Sequence, residues 1–377
     1  MSLDKSTLNT SLEHVPPLIQ AEIETAVEIV HQVGKKDVAM IWLFGSYSRG
    51  DFINDRRVDD NGLVSEYNSD VDILVILRGK DSKKKHKLLH KLVHDVQEHP
   101  ALTAPFHVIY ETLERFNQSL SGSEYFYLDV IKEGVVLFDD EVTLAQPQPL
   151  SAEQRRKMSI RYFERFYRKA IESQQSFQLH YPRDMSAFAI FNLHQMAERL
   201  FYAYLLVLTH YKPRTHKLVE LRGQTKKLNQ EIKKIFPLET KQQKQRFGFF
   251  CDAYVDSRYQ PDYTVEIEVL DTIAGWVEDL QRWVFAESLK AIDGFVPKHN
   301  YSHQCSLQHP FLDLAKIKST PLAEDVLVQK EQALKKAEAR EKEAIKREEE
   351  GLAREALKDK EQERLRELLH KAGIDPD

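Results

Sequence analysis

Two short apolar runs near the start of this chain constrain its fold more than any other feature. The first run, Val38–Phe44, stops at the pair Gly45 and Ser46. The second run, residues 73–77, follows directly after an Asp-Val-Asp triplet at 70–72. Apolar runs of this length with such borders predict buried β-strands. A strand, a tight turn and a strand that begins with two carboxylates together predict a site for a metal-bound phosphate chain.

The glycine-serine turn supplies groups that bind phosphate. Gly45 allows a turn so tight that backbone N–H groups can face an anion. The Ser46 hydroxyl adds a donor, and the guanidinium of Arg49 carries a fork of donors that suits triphosphate oxygens. We therefore expect Gly45, Ser46 and Arg49 to bind a nucleotide.

The two aspartates are suited to binding a divalent metal ion. Residues i and i+2 of a strand point to the same side, so Asp70 and Asp72 present their oxygens together. Nucleotidyl transfer has to neutralise charge on the attacking and leaving oxygens, and divalent ions do this well. Mg²⁺ favours one or two carboxylates together with substrate phosphates and water. We expect Asp70 and Asp72 to bind Mg²⁺ or Mn²⁺, with ATP or another nucleoside triphosphate as substrate.

The composition is that of a soluble protein with more than one domain. The chain has 377 residues, of which 42% are hydrophobic and 30% charged. A net charge of -5 gives no general attraction to nucleic acid or anionic membranes, and two cysteines exclude a disulfide framework. No apolar run approaches the roughly 20 residues that span a bilayer, and the N-terminal residues do not resemble a signal peptide. A cytoplasmic location is therefore expected.

The first region, residues 1–149, alternates helix and strand patterns. A helix is predicted to begin at Pro17 and to end at Gly34. Residues 51–69 are polar and rich in Asp and Asn, so we expect a long loop there. Strands are predicted at 38–44, 71–77, 106–110 and 135–138, and further helices around 88–93 and 125–132. This alternation predicts a small mixed sheet with helices.

The strand signals stop after residue 149. Ser151 is a good N-cap with Gln154 three residues later, and 150–290 reads as an all-α bundle with a central helix near 185–208. Residues 291–321 are expected to be a linker. The tail, 322–377, has high helix propensity and predicts a long charged helix, either a weak coiled coil or a solvated segment without a specific role. The fold class is thus α+β.

The first region resembles a known superfamily. The segments GSYSRG at 45–50 and SDVDILV at 69–75 are similar to the signature of the DNA polymerase β-like nucleotidyltransferases, which include minimal and aminoglycoside nucleotidyltransferases. The resemblance implies that Gly45 and Ser46 contact the triphosphate. It also implies that Asp70 and Asp72 bind the divalent ions.

Two departures from that signature bear on activity. Asp70 follows Ser46 by 24 positions, about twice the usual separation, so the intervening loop carries an insertion. A third carboxylate, the general base in active members, is missing from the expected strand. His107 and Glu111 share a face of that strand, and either is a candidate base. The alternatives are that His107 is an ordinary surface residue and that activity is weakened or lost.

The second region resembles HEPN domains. The similarity lies in FAIFNLHQMAERLFYA at 188–203, YKPRTHKL at 211–218 and DSRY at 256–259, followed by Asp262 and Tyr263. The resemblance implies a helical bundle that often dimerises, so we expect a homodimer through this bundle. HEPN domains also occur beside or fused to minimal nucleotidyltransferases, many of them in toxin–antitoxin and defence systems.

The ribonuclease motif of HEPN proteins is absent from residues 151–286. That motif places His about four to six residues after Arg on one helix, so that both face one scissile bond. Without it, the bundle is expected to bind a nucleotide, a substrate or a partner. Alternatively, these side chains are core, solvated or helix-capping residues. The candidates for a cleft that faces the nucleotide site are His194, Glu198, Arg199, Lys212, His216, Arg258 and Tyr259.

Two functions of different classes follow from these observations. The first is a Mg²⁺-dependent nucleotidyltransferase that moves a nucleoside monophosphate, AMP from ATP in the simplest case, to a hydroxyl of a protein, RNA or small molecule. The second is a catalytically silent nucleotide-binding scaffold or sensor. A third function, ribonuclease, is disfavoured by the missing Arg and His spacing.

Overall fold

The fold is described from a computed structural model of the chain. It covers residues 2–58, 64–79, 83–260, 262–297, 301–302, 305, 307 and 311–320, and the isolated positions 336 and 364. The predicted tail, 322–377, lies outside the described residues except for those two positions. The described residues form an α+β structure, with a mixed sheet followed by a helical bundle, which confirms the predicted fold class.

The first domain contains both strands and helices. Its elements are α1 (Pro17–Gly34), β1 (Val38–Phe44), α2 (Ser46–Arg49), β2 (Asn54–Val58), β3 (Val64–Asn68), β4 (Val71–Leu77), α3 (Lys83–Gln97), β5 (Phe106–Thr112), α4 (Leu113–Ser121), α5 (Tyr125–Glu133) and β6 (Val135–Asp139). The predicted bounds of α1, β1 and β4 are confirmed. Helix α4 was not predicted.

A four-stranded sheet forms the centre of this domain, in the order β5-β4-β1-β6. Strand β1 is antiparallel to β4 and β6, whereas β4 is parallel to β5. One face packs against α1 and α3, and the other packs against α4 and α5. Because both faces are covered, β1 and β4 are apolar at nearly every position, which is why their sequences read as continuous runs.

The register of this sheet brings the polar ends of three strands together. Phe44, the last residue of β1, pairs with Asp72 in β4. Asp72 in turn pairs with His107 in β5. The glycine-serine turn therefore leaves the sheet next to Asp72, and His107 lies on the opposite side of Asp72.

The segment 51–69 is not the structureless loop predicted from its polarity. Strands β2 and β3 form a separate antiparallel ribbon within it, with Asn54 opposite Asn68 and Val58 opposite Val64. The sequence contains a hairpin signal, Asn61-Gly62, which favours the turns that join antiparallel strands. The turn itself lies outside the described residues.

The second domain is a bundle of helices. They are α6 (Ala152–His180), α7 (Ser186–Thr209), α8 (Leu218–Leu228), α9 (Ile232–Ile235), α10 (Lys241–Tyr259), α11 (Ile267–Phe295) and α12 (Leu314–Ser319). Ser151 and Gln154 form the expected capping box at the start of α6. Helix α7 is buried on most of its circumference, as predicted for the centre of a bundle, and contacts α6, α8, α10 and α11.

The region expected to be a linker contributes to the bundle. Helix α11 continues to Phe295, past the predicted boundary at residue 290. Beyond it, the hydroxyl of Tyr301 donates to Glu164 in α6 (2.6 Å), and the backbone N–H of Leu312 donates to the buried side chain of Gln281 (2.7 Å). The described residues between 301 and 320 therefore pack as part of the bundle, and Leu312 is fully buried in its core.

Helix α5 joins the first domain to the bundle. Its residue Asp129 accepts a hydrogen bond from Arg214 (2.8 Å), and Arg214 also pairs with Glu133. The ring of Tyr125 packs 5.6 Å from that of Tyr162 in α6. These contacts place the loop between α7 and α8 against the first domain.

None of the helices searched in the described residues has the combination of length and apolar character that crossing a membrane requires.

A buried carboxylate in α1 fixes the start of β5. Glu22 accepts hydrogen bonds from the backbone N–H groups of Thr103 (3.0 Å) and Ala104 (2.9 Å) and is 4% exposed. Replacing Glu22 by Ala leaves those buried donors without an acceptor, so the free energy of unfolding should fall by about 2–3 kcal/mol in urea denaturation. Ala at the exposed Glu24 of the same helix is the control and should change little. Equal effects of the two substitutions would contradict this role.

Candidate functional site

Hydrogen bonds hold the glycine-serine turn in one shape. Gly45 has φ 79° and ψ -150°, a conformation that residues with side chains rarely adopt. The Ser48 hydroxyl donates to the Gly45 carbonyl (3.0 Å), and the Ser46 carbonyl accepts a hydrogen bond from the backbone N–H of Asp51 (3.2 Å). The imidazole of His14 bonds the carbonyl of Tyr47 (2.9 Å). These hydrogen bonds constrain the conformation of the turn at the end of β1.

Asp72 lies against Gly45 so closely that no side chain fits between them. A Cβ added at Gly45 would lie 3.0 Å from Asp72 Cγ and closer still to its Oδ2. The glycine thus serves two purposes: it permits the positive φ, and it leaves room for the carboxylate. The position of Oδ2 directs one oxygen of Asp72 towards the turn.

The other oxygen of Asp72 bonds a histidine. His107 Nδ1 lies 2.9 Å from Asp72 Oδ1, a contact that the pairing of β4 with β5 produces. Burial raises the pKa of Asp72, the hydrogen bond and charge of His107 lower it, and the charge of Asp70 raises it further. The His107 side chain is 57% exposed, so its second ring nitrogen is accessible to a substrate.

Asp70 and Arg49 complete this group. Asp70 is exposed, precedes β4 by one residue and acts electrostatically on Asp72. Arg49 pairs with Asp51 (3.0 Å), and its charge acts on both Asp72 and Asp129. The structure thus brings together the predicted residues Gly45, Ser46, Arg49, Asp70, Asp72 and His107.

Glu111 lies away from the group formed by the turn, the aspartates and His107. It pairs with Ile76, four positions along the sheet from the Asp72 pair. Its carboxylate accepts from the Thr112 N–H (2.9 Å) and from the Tyr127 hydroxyl (3.1 Å). The structure does not bring Glu111 to the aspartates, and its oxygens bond neighbours within the domain.

The chemistry of the donors fits a divalent ion bound together with a nucleotide. Asp70 and Asp72 offer the hard carboxylate oxygens that Mg²⁺ prefers, and Asp72 Oδ2 lies beside Gly45 in the space that a side chain there would fill. Within the described residues, no three His, Cys, Asp or Glu side chains converge as a ready ligand set for an ion. An ion there would need phosphate oxygens or water as further ligands.

A second group of ionisable residues lies in the bundle, around the buried Glu198. His216 Nδ1 is 3.0 Å from Glu198 Oε1, and the Glu198 side chain is 7% exposed. Burial raises the pKa of Glu198, but the hydrogen bond and charge of His216, together with His194 and Tyr202, outweigh it, so the net pKa is lowered. Beside them, Tyr202 donates to the Thr215 carbonyl (2.7 Å), and Lys212 Nζ lies 4.1 Å from the centroid of the Tyr202 ring.

His194 and Arg258 border the same group. His194 is 1% exposed, its Nδ1 has no hydrogen-bond partner among the residues that the structure describes, and burial lowers its pKa to about 4. Arg258 lies 4.0 Å from the centroid of Tyr254, whose ring is parallel to that of His216 at 6.1 Å. Four of the seven predicted cleft residues, His194, Glu198, Lys212 and His216, are thus in one neighbourhood, with Arg258 at its edge.

The other two predicted cleft residues face different surroundings. Arg199 turns towards α6, where it donates to the Lys169 carbonyl (2.9 Å) and contacts Ser173. Tyr259, at the end of α10, is 58% exposed and lies beside Arg258. Neither residue has a described contact with Glu198.

Asp129 in α5 relates the two groups. Its carboxylate interacts electrostatically with the guanidinium of Arg49 in the turn and with the ammonium group of Lys212 in the bundle. Sequence reasoning missed Asp129, Tyr202 and Tyr254 as neighbours of the site. A signal for Tyr202 exists, because it follows Glu198 by four residues on a helix and so shares its face.

The comparisons with known proteins identify the family of the second domain. The sheet domain followed by a helical bundle defines a two-domain α+β protein. Residues 163–288 match the family described as "HEPN domain", so this part of the chain is a HEPN domain, as its sequence predicted. No curated protein matches the chain.

One similar solved structure is the spectinomycin adenyltransferase AAD(9) from Enterococcus faecialis with ATP and spectinomycin. The alignment has 10% sequence identity and a TM-score of 0.36, and it covers 71% of this chain and 99% of that chain.

Two glycines separate the effect of backbone conformation from that of the contact with Asp72. Gly45 and Gly50 both have positive φ (79° and 76°), but a Cβ at Gly50 would meet only His14, at 3.5 Å. Gly50→Ala should lower the free energy of unfolding by about 1–2 kcal/mol from strain alone. Gly45→Ala should cost about 1–3 kcal/mol more, because the methyl group displaces the Asp72 carboxylate. Equal losses in urea denaturation would contradict the close approach of Asp72.

His194 should make stability depend on pH. Its pKa is about 4 in the folded protein against 6.5 for the free side chain, so between these values only the unfolded chain takes up the proton. The free energy of unfolding should therefore decrease as pH falls from 6.5 to 4, by about 3 kcal/mol in total. His194→Phe should flatten this part of the profile, whereas His90→Gln, at an exposed position, should not. An unchanged slope in His194→Phe would refute burial of the neutral ring.

Proposed function

We propose that this protein is a divalent-metal-dependent nucleotidyltransferase that moves a nucleoside monophosphate, AMP from ATP, to a hydroxyl group. The observation that carries the proposal is the position of Asp72. One of its oxygens is directed at the Gly45 turn and the other bonds His107. A carboxylate between a phosphate-sized turn and an exposed base is the arrangement that transfer of a phosphate ester requires.

The turn binds the phosphates in this proposal. Backbone N–H groups after Gly45 and the Ser46 hydroxyl donate to phosphate oxygens, and Arg49 contributes charge at the edge of the turn. Asp70 and Asp72 hold Mg²⁺ or Mn²⁺. Such an ion, when bound, neutralises the charge that develops on the attacking and leaving oxygens. Asp72 keeps its Oδ2 for this purpose because only Oδ1 bonds His107.

His107 accepts the proton of the attacking hydroxyl. Asp72 accepts a hydrogen bond from Nδ1–H, which leaves the lone pair on Nε2 as the base. The exposed ring gives an acceptor molecule access to that nitrogen. His107 thereby takes the place of the third carboxylate that the resemblance leads one to expect, and Glu111, bonded to Tyr127, takes no part.

The HEPN bundle binds the acceptor in this proposal. Glu198, His216 and Lys212 line the side of the bundle that faces α5, where Asp129 connects them electrostatically to Arg49. The acceptor is a protein, an RNA or a small molecule that carries a hydroxyl. Dimerisation through the bundle and a role in a toxin–antitoxin or defence system are part of the same proposal, supported by the HEPN match alone.

A specific observation favours a second candidate function. The residue that pairs with Asp72 in β5 is a histidine rather than a carboxylate, and one oxygen of Asp72 is engaged by it. A domain of this kind that binds nucleotide without transferring it would act as a sensor or scaffold.

Labelled transfer distinguishes the two functions and tests the role of His107. The purified protein, labelled ATP, Mg²⁺ and a cell lysate should give labelled product. His107→Ala should lower the rate by about 10²–10⁴-fold because the base is lost. Glu111→Gln is the matched control on the same strand and should retain the rate. Asp70→Asn with Asp72→Asn should abolish transfer, and activity in that double variant refutes the transferase. ATP binding by calorimetry without labelled product supports the scaffold.

A further inference from the structure

Three basic side chains in the HEPN domain lie close together and form no ion pair with a carboxylate among the described residues. They are Arg165 and Lys169 in α6 and Lys212 in the loop before α8, and we call them the basic cluster. Arg165 and Lys169 are one helical turn apart and therefore share a face of α6. The charges of both act on Lys212. Each is at the surface or only half-buried, so a ligand can reach them.

An aromatic pair holds the cluster together. The rings of Phe166 and Tyr202 pack 5.8 Å apart, one from α6 and one from α7. The guanidinium of Arg165 lies 5.7 Å from the centroid of Phe166, and Lys212 Nζ lies 4.1 Å from that of Tyr202. Cations over aromatic faces are attracted to the rings. The two charges are thereby fixed on neighbouring rings rather than free to move apart.

The absence of an acidic partner distinguishes the cluster from its surroundings. Nearby, Arg161 pairs with Glu124 (3.1 Å) and Arg214 pairs with Asp129 (2.8 Å). In the part of the chain that the structure describes, no carboxylate forms an ion pair with Arg165, Lys169 or Lys212.

Charges of both signs act on Lys212. Burial has the largest effect and lowers the pKa of Lys212. The charge of Glu198 raises it, the charges of Lys169 and Arg165 lower it, and the charge of Asp129 raises it. Glu198 itself bonds His216 and forms no ion pair with the lysine. Three like charges that lie near each other without an ion-pair partner among the described residues repel one another, and a bound anion relieves that repulsion.

Charges on α5 link the cluster to the proposed transfer site. Lys212 is close enough to Asp129 of α5 to be affected by its charge, and Asp129 is affected by Arg49 of the glycine-serine turn. Arg165 acts in the same way on Tyr125 at the start of α5. A nucleotide or acceptor between the two domains would therefore meet these cations.

We propose that Arg165, Lys169 and Lys212 form a phosphate-binding site on the HEPN domain. The phosphate belongs either to the outer part of the nucleoside triphosphate or to an acceptor that already carries a phosphate group. The assignment of these sources rests on the proposed function. The site itself does not, because it is defined by the cations alone.

Calorimetry with inorganic pyrophosphate, in the presence of EDTA, tests the site. The full-length protein should bind pyrophosphate, and the variant Arg165→Gln, Lys169→Gln, Lys212→Gln should bind it at least tenfold more weakly. Arg168→Gln, an exposed arginine of the same helix without a described partner, is the matched control and should bind as the wild type does. Equal affinity of the triple variant and the wild type, or no binding by the wild type, overturns the proposal.

Thermal unfolding checks whether the triple variant keeps its folded structure. Removing three mutually repelling charges should leave the melting temperature unchanged or raise it when phosphate is absent. Pyrophosphate should then raise the melting temperature of the wild type and not that of the triple variant. A triple variant that melts lower without ligand would show that the cations stabilise the fold, and would contradict a site with unsatisfied charge.

Two further arms identify the source of the phosphate and separate this proposal from the transferase. If the triple variant loses affinity for ATP but not for AMP, the cations bind the outer phosphates of the nucleotide. If ATP affinity is kept while pyrophosphate affinity falls, the phosphate belongs to the acceptor. Asp70→Asn with Asp72→Asn should keep pyrophosphate affinity. Pyrophosphate binding by the cluster in a protein without transfer activity would uphold this site and refute the transferase.

Discussion

The antiparallel pairing of β1 with β4 is the constraint on which the rest of the site depends. It places Phe44 opposite Asp72, so the residue after the strand has to share space with a carboxylate. Only glycine fits there, since a Cβ would collide with Asp72. The positive φ of Gly45 then turns the chain away from the sheet. One register thus determines the bend, the position of the carboxylate and the concave space between them.

The parallel pairing of β4 with β5 adds the base to this arrangement. It brings His107 beside Asp72, where a hydrogen bond of 2.9 Å fixes the imidazole. Glu22 secures the start of β5 through two backbone N–H groups, so a residue in α1 contributes to the position of His107. The site is therefore supported by packing on the face of the sheet that α1 and α3 cover.

The sequence predicted the elements better than it predicted their neighbours. Strands β1 and β4 could be recognised because burial on both faces makes them continuously apolar. The ribbon of β2 and β3 was missed because its polar residues read as a loop. The alternation of residues along β5 shows that His107 and Glu111 share a face of the strand. It does not show which of them pairs with Asp72, because that depends on the register of β5 against β4. The basic cluster brings Lys212 beside Arg165 and Lys169 of α6, a proximity that only tertiary packing produces.

The two domains share one electrostatic environment. Helix α5 belongs to the first domain, yet its acidic residues pair with Arg214 of the bundle. The carboxylate of Asp129 interacts electrostatically both with Arg49 of the turn and with Lys212 of the basic cluster. A ligand between the domains would be bounded by carboxylates at the sheet and by cations at the bundle. That asymmetry suits a metal at one end of a phosphate-bearing substrate and direct ion pairs at the other.

The location of a bound metal tests the central claim most directly. Crystals grown with Mn²⁺ and a non-hydrolysable ATP analogue would give an anomalous difference map that identifies the ion without reference to a model. The account predicts a manganese peak bonded to the carboxylates of Asp70 and Asp72, with the analogue's phosphates against the Gly45 turn. A nucleotide bound elsewhere, or at the turn with no ion at either aspartate, would contradict it.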